Sequence, residues 1–216
     1  MVKNIHDTAT KKLPPRPARE TPEGVSGLVV SDHFVMNDRY HTFRRRGTGD
    51  WLLFYTAGGK GFFRSREGRV HVAVAGEVAL YQPRTMHEYG TMPDERWDFH
   101  WVHFTARPGW TEWLKLPRWH ADWDLLGTAA ASPSARRQIA SLMDELHRDV
   151  RMRGVLRQEM AMNAIEKILL HVWESLPSAR QKPMDPRIAA AVQTLVQDVA
   201  APARVPDMAR RAALSA

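Results

Sequence analysis

The chain has 216 residues and a mass of 24.7 kDa, enough for one substantial core or for one domain with a smaller companion. Hydrophobic residues at 44% and charged residues at 25% exclude wholesale disorder, and the lack of cysteine excludes disulfides, thiolate metal sites and a thiol nucleophile. An excess of 31 Lys and Arg over 24 Asp and Glu gives a net charge of +7, which helps a protein approach a polyanion but equally describes a solvated basic surface.

Residues 1–22 carry Pro14, Pro15, Pro17 and Pro22 among charges, so they make no regular helix and form either an extended arm or a disordered segment. They contain no apolar signal-like stretch and no run in the chain is long enough to span a bilayer, so a cytoplasmic protein without membrane partners is expected. From Gly27 to about Phe104 the sequence reads as short strands: residues 40–46, 51–56, 61–65, 70–74 and 77–82, with Gly58-Gly59, Glu67-Gly68 and Ala75-Gly76 as turns. In residues 98–104 the alternation places Phe99, Trp101 and His103 on one face and Asp98, His100, Val102 and Phe104 on the other.

Beyond a tryptophan-rich stretch, Trp110 to Trp123, the apolar period becomes helical. Ile139, Leu142, Met143, Leu146 and Val150 predict a helix over 133–153, separated by Gly154 from a second over 155–176 that carries Met160, Ala164, Ile165, Ile168, Leu169 and Val172. Pro177 ends it, a polar linker follows over 178–185, and a third helix is predicted over 186–199.

The segment GEVALYQPRTMHEYG (76–90), with a Gly-acidic pair opening a strand before Pro83 and His87, resembles the second half of a cupin barrel. A cupin metal site needs a His-x-His pair in the earlier half, and only His71 stands there, so no metal or other cofactor is expected. His87 and His103 are the candidate acid-base residues, but no Ser-His-Asp arrangement accompanies them and no enzyme activity is expected.

Four segments together, GTGDWLLFYTAGGKGFF (47–63), residues 76–90, RWDFHWVHF (96–104) and GWTEWLKLP (109–117), resemble in order and spacing the AraC-type family of bacterial transcription regulators. The resemblance implies an α+β fold: a cupin-like β-barrel (jelly-roll) followed by an antiparallel helical pair, then a partial all-α helix-turn-helix segment. The implied domains are an arm at 1–22, an effector-binding and dimerisation domain at 23–177, the linker at 178–185 and a truncated helix-turn-helix domain at 186–216. In that reading Val205 to Ser215 form the first helix of the motif and its successor's cap, the chain is truncated within the DNA-binding domain, and promoter DNA is bound only by a full-length form.

The resemblance further implies a small, sugar-like effector stacked on Trp101, with Arg44 and Tyr89 supplying a guanidinium fork and a hydroxyl. On the residues alone Trp101 is equally a core side chain, and Arg44 equally one of a surface run, Arg44-Arg45-Arg46. Val29 and Phe99 stand where the family's arabinose-binding pattern has a threonine and a histidine, so both join the implied ligand positions while removing polar partners, which disfavours arabinose. A homodimer is implied through the second helix, on a face carrying Met160, Asn163, Lys167 and Leu170. A natural short form acting as a stand-alone sensor or dominant-negative partner, and a cupin-type enzyme, are the alternatives.

Overall fold

The computed structural model describes residues 13–22, 29–118, 125–129, 132–176 and Arg187. The chain divides into two compact units, Met1–Ser175 and Leu176–Ala216, and every element below belongs to the first. The predicted linker, third helix and helix-turn-helix segment lie outside the described residues, apart from Arg187, which is helical.

Among the described residues, eight antiparallel strands come first: β1 (Val29–Asn37), β2 (His41–Arg44), β3 (Trp51–Arg64), β4 (Val70–Val74), β5 (Glu77–Tyr81), β6 (His87–Thr91), β7 (Arg96–Phe104) and β8 (Leu125–Ala129). The helices α1 (Pro133–Arg151) and α2 (Arg157–Glu174) follow. One layer runs β1-β7-β3-β5-β8, and the other is made by β2 on β6, β6 on β3 and β3 on β4. The fold is α+β, a cupin-like jelly-roll with a helical hairpin after it, as expected.

The strand β3 belongs to both layers, and this differs from the expectation of two strands parted by a Gly58-Gly59 turn. Leu52 to Tyr55 pair with β5 and Trp51 to Gly59 with β7, whereas Lys60 to Arg64 pair with β4 and Gly61 to Phe63 with β6. A register shift between Thr56 and Gly58 marks the bulge at which the strand bends from one layer to the other. The glycines are there for close approach. A Cβ on Gly59, at φ +66°, would lie 1.8 Å from the Arg96 carbonyl oxygen, and one on Gly61 would lie 2.3 Å from the Trp97 ring. Trp97 thereby sits fully buried across the bend and donates its indole N–H to Thr56 Oγ1 at 3.2 Å.

The Ala75-Gly76 turn also has a different role from a simple hairpin. β4 pairs with one half of β3 and β5 with the other, so this turn is a corner between layers, with Gly76 at φ +89° and Glu77 accepting from the Val74 N–H and from His71. Around the bend, Leu52, Phe54, Phe63, Tyr81, Tyr89, Trp97, Phe99 and Leu125 form the core. Its rings meet edge-to-face or offset, as at Phe54 and Tyr89, 4.7 Å apart and 66° between planes.

The helices begin and end where the sequence places their signals, within two residues of the predicted limits. Ser132 caps α1 by accepting from the Ala135 N–H, Pro133 opens it, and Ile139, Met143 and Leu146 are its buried stripe. On α2, Ala161, Ala164, Ile165, Ile168, Leu169 and Val172 are buried, but Met160, expected in that stripe, is 44% exposed.

The bend makes a prediction about stability. Gly59→Ala forces a side chain into a left-handed backbone position and into a carbonyl, and lowers the unfolding free energy by about 2 to 4 kcal/mol. Gly49, with open space where a methyl group would lie and no positive φ, tolerates alanine within about 0.5 kcal/mol. Urea unfolding of the two variants measures the difference.

Candidate functional site

Alternation along β7 sets the two surfaces of the barrel wall. Trp97 and Phe99 stack at 3.9 Å inside the core, and Trp101 packs on that core two residues further on. Asp98, His100, Val102 and Phe104 face the other way. Strand β1 pairs residue for residue, Val29 with Phe104, Ser31 with Val102, Phe34 with Phe99, so opposed side chains share a face. Val29 therefore stands with Phe104 on the helix-bearing face and not with Trp101, because a β-strand shows each successive residue to the opposite side. Its neighbour Val30, opposite His103, takes the inward position. Phe99 is inward but wholly buried against Trp97.

The second layer brings the remaining expected residues to the same interior. Thr42 pairs with Tyr89 and Arg44 with His87, so these four share the inward face. Arg44 Nη1 donates to the Tyr89 hydroxyl at 3.3 Å, while its Nε and Nη2 both reach the Pro22 carbonyl at 3.3 Å. Tyr40, absent from the residues expected at the site, stacks obliquely on Tyr89 and Phe99, and burial together with the neighbouring Tyr89 pushes its hydroxyl pKa upward. Asp50, also unexpected, hydrogen-bonds His103 Nδ1 at 2.9 Å; burial alone would raise its pKa, but hydrogen bonding, that of His103 foremost, outweighs this and lowers it. Neither has a sequence signature, since only the register across β2, β6 and β7 brings them near Trp101.

Two inward side chains carry buried polar atoms that are unpaired among the described residues. Both ring nitrogens of His87 and the indole nitrogen of Trp101 are without hydrogen-bond partners among the described residues. His87 is wholly inaccessible, 4.4 Å from the Tyr81 ring, and burial, with Arg44 adding to it, lowers its pKa to about 3, so it is neutral at physiological pH. Among the described residues no group of three His, Asp or Glu side chains is placed to hold a metal ion.

The outer face of the second layer carries the arm. Arg16 pairs with the wholly buried Glu88 at 2.6 Å and lies over the Phe43 ring, while Arg64 reaches both Glu88 and the Pro14 carbonyl. Thr21 binds the free edge of β2 through Phe43, N–H to carbonyl at 2.7 Å. Residues 13–22 are thus an extended arm docked on the outside of the barrel.

On the outer face of β1 and β7, three parallel imidazoles link wall and helix. His33 stacks on His100 at 4.2 Å, and His100 Nδ1 hydrogen-bonds His147 Nε2 of α1 at 2.9 Å. His147 Nδ1 meets Ser31 Oγ at 2.8 Å, and His33 Nε2 meets Asp98. Burial lowers the pKa of both His100 and His147 to about 4, each also disfavoured by a neighbouring histidine.

The expected dimerisation residues share one outward stripe of α2: Met160, Asn163, Lys167 and Leu170 are all exposed. Asn163 Oδ1 accepts from Arg107, which also pairs with Glu159 and Glu166. Trp110, buried beneath Arg107, donates to Glu166 at 2.9 Å, which accounts for the first tryptophan of GWTEW as a tie between barrel and α2.

A family model described as AraC-like ligand binding domain matches residues 32–162. The chain is 28% identical over 158 residues to the arabinose operon regulatory protein of Escherichia coli, covering 73% of this chain and 53% of that protein. It is 28% identical over 160 residues to the protein of the same name from Salmonella typhimurium, covering 73% and 55%. The chain spans about half the length of the curated relatives it matches. Among solved structures it is similar to a ToxT variant from Vibrio cholerae, with 10% identity and a TM-score of 0.49 over 91% of this chain and 73% of that one. It is also similar to the AraC-like transcriptional activator CuxR, with 13% identity and a TM-score of 0.43 over 91% and 75%.

The imidazole pair makes stability pH-dependent. In the unfolded chain His100 and His147 titrate near 6.5, whereas the folded chain holds them neutral down to about pH 4. Between those values the unfolded state binds more protons, so stability is full above pH 6.5 and falls as pH drops toward 4. Urea unfolding at pH 7.5 and pH 5.0 is expected to show a loss that narrows in His147→Gln. An undiminished loss would place the titration elsewhere.

Proposed function

The chain belongs to the AraC-like ligand-binding domain family, and from that premise we propose that its barrel binds a small, polar, sugar-sized effector and that it works as a homodimer. The observation that carries the reading is the interior surface shared by Arg44, Tyr89 and Trp101, where polar groups converge inside an otherwise aromatic core. Such a surface suits a flat polar ligand, its apolar face on the indole and its edge toward the phenol and guanidinium.

The curated relatives are regulatory proteins, and both are named for the arabinose operon. A sugar-like effector is consistent with those names, but arabinose itself is disfavoured here. Phe99 offers no hydrogen bond, and Val30, the inward residue at the end of β1, is as apolar as Val29. Each unmet sugar hydroxyl buried in the barrel costs about 1 to 3 kcal/mol. Control of promoter DNA belongs to this reading as the role of a full-length regulator.

For the dimer, the support is the exposed stripe on α2. Met160 and Leu170 are 44% and 37% exposed at helix spacing, with Asn163 and Lys167 between them. An antiparallel twin packed on this stripe buries both apolar residues, and Asn163, already held by Arg107, sets the register.

Calorimetry against pentoses, hexoses, deoxysugars and small acids tests the site. Trp101→Ala and Arg44→Ala are each expected to weaken the best ligand at least tenfold, and a ligand indifferent to both substitutions would place binding elsewhere. Sedimentation of the wild type is expected to give a species near twice 24.7 kDa, and Met160→Glu or Leu170→Glu a folded monomer. A dimer surviving both substitutions would move the interface off α2.

A further inference from the structure

We infer that the barrel's ligand is an anion, a carboxylate carried on a compact polar body, and that His87 and the Trp101 indole N–H bind it alongside Arg44. This rests on the barrel-binding reading above and adds the charge of the ligand and two of its partners.

The first observation is the state of Arg44. Elsewhere in the fold the partly buried arginines Arg16 and Arg64 meet Glu88, and Arg107 meets Glu159 and Glu166. Arg44 instead makes bonds of 3.3 Å to neutral oxygens, one phenol and one peptide carbonyl. Three guanidinium nitrogens share two acceptors, at the long end of the hydrogen-bond range. A carboxylate meets the same fork with two charge-assisted bonds, which are shorter and roughly twice as strong as neutral ones.

The second observation is independent of the first. His87 lies opposite Arg44 in the β2–β6 register, is wholly buried, and has neither ring nitrogen paired among the described residues. The Trp101 indole nitrogen is in the same condition on the facing wall. Such groups are costly to keep dry and unpaired. The indole is a donor only, and a neutral imidazole brings one donor. With the guanidinium, the interior therefore offers a surplus of N–H groups.

That surplus chooses between ligand classes. A neutral polyol brings one donor with every hydroxyl oxygen, and each of those needs an acceptor in turn. The acceptors facing it among the described residues are the hydroxyls of Tyr40, Thr42 and Tyr89, each of which is also a donor, one nitrogen of His87, and the carboxylates of Asp32 and Asp50, already engaged by Arg151 and His103. A carboxylate brings acceptor sites alone, and its charge is opposed to that of Arg44. Hydroxy acids and sugar acids combine that group with a body small enough to lie on Trp101.

The test compares ligands that differ only in the acid. D-galacturonate with D-galactose, and L-lactate with 1,2-propanediol, are titrated into the wild-type chain by calorimetry at pH 7.5. At least one acid is expected to bind ten times or more tighter than its neutral counterpart, with the preference lost in Arg44→Gln. His87→Leu separates binding from folding: removing an unpaired buried imidazole raises the melting temperature of the free chain while weakening the acid at least fivefold. Equal or tighter binding of the neutral members, still dependent on Trp101, would overturn the anion inference and leave the barrel site standing. An acid preference that survives Arg44→Gln, or no binding by either acid, would also overturn it.

Discussion

The molecule depends on a single bent strand. Because β3 pairs with β5 and β7 through its first half and with β4 and β6 through its second, it fixes the two layers against one another. The bend is possible only where Cβ atoms are missing, at Gly59 beside the Arg96 carbonyl and at Gly61 beneath the Trp97 ring. Trp97 fills the corner so made, and Phe99 stacks on it. The wall that carries Trp101 is therefore positioned by the same packing that closes the fold, and the site inherits its rigidity from the core and not from loops.

Sequence patterning exposes this architecture unevenly. The alternation in DFHWVHF correctly separates Trp101 from His100, because period-two burial survives whatever the partner strands are. The helices are legible from their stripes, with Pro133 marking the start of α1, whereas the Ser132 cap is seen only in the structure. The continuity of β3 is hidden, since Gly58-Gly59 is as good a turn signal as a bulge signal until the partner strands are known. Strand β1 does not stand out either: its Ser31, Asp32 and His33 break the apolar pattern because they serve α1 and β7's outer face and not the core. Matching Val29 to the family pattern sets it with Trp101, whereas the register with β7 sets it with Phe104; one residue in a strand is the whole thickness of the wall. Asp50 and Tyr40 carry no local signal, being brought to the site by pairing between distant segments.

The polar residues of the barrel fall into two sets with different fates. On the outer face the buried Glu88 is answered by Arg16, Arg64 and His41, and His147 by Ser31 and His100. These bonds hold the arm and the helices to the wall. On the inner face the His87 ring and the Trp101 indole go unanswered among the described residues, and Arg44 is answered weakly. Unpaired polar atoms inside an aromatic core lower stability, so folding alone does not account for those of His87 and Trp101.

The two sets are only one residue apart in the chain. Trp101 faces inward and His100, bonded to α1, faces outward on β7; Tyr89 faces inward and Glu88, bonded to the arm, faces outward on β6. Arg44 is shared more directly still, between the Tyr89 hydroxyl and the Pro22 carbonyl at the end of the arm. A ligand that draws Arg44 inward competes with a bond to the arm, and one that shifts Trp101 acts on the peptide next to the imidazole that anchors α1. The strand geometry that turns Trp101, Tyr89 and Arg44 inward thus also places them within one peptide unit of the elements outside the barrel.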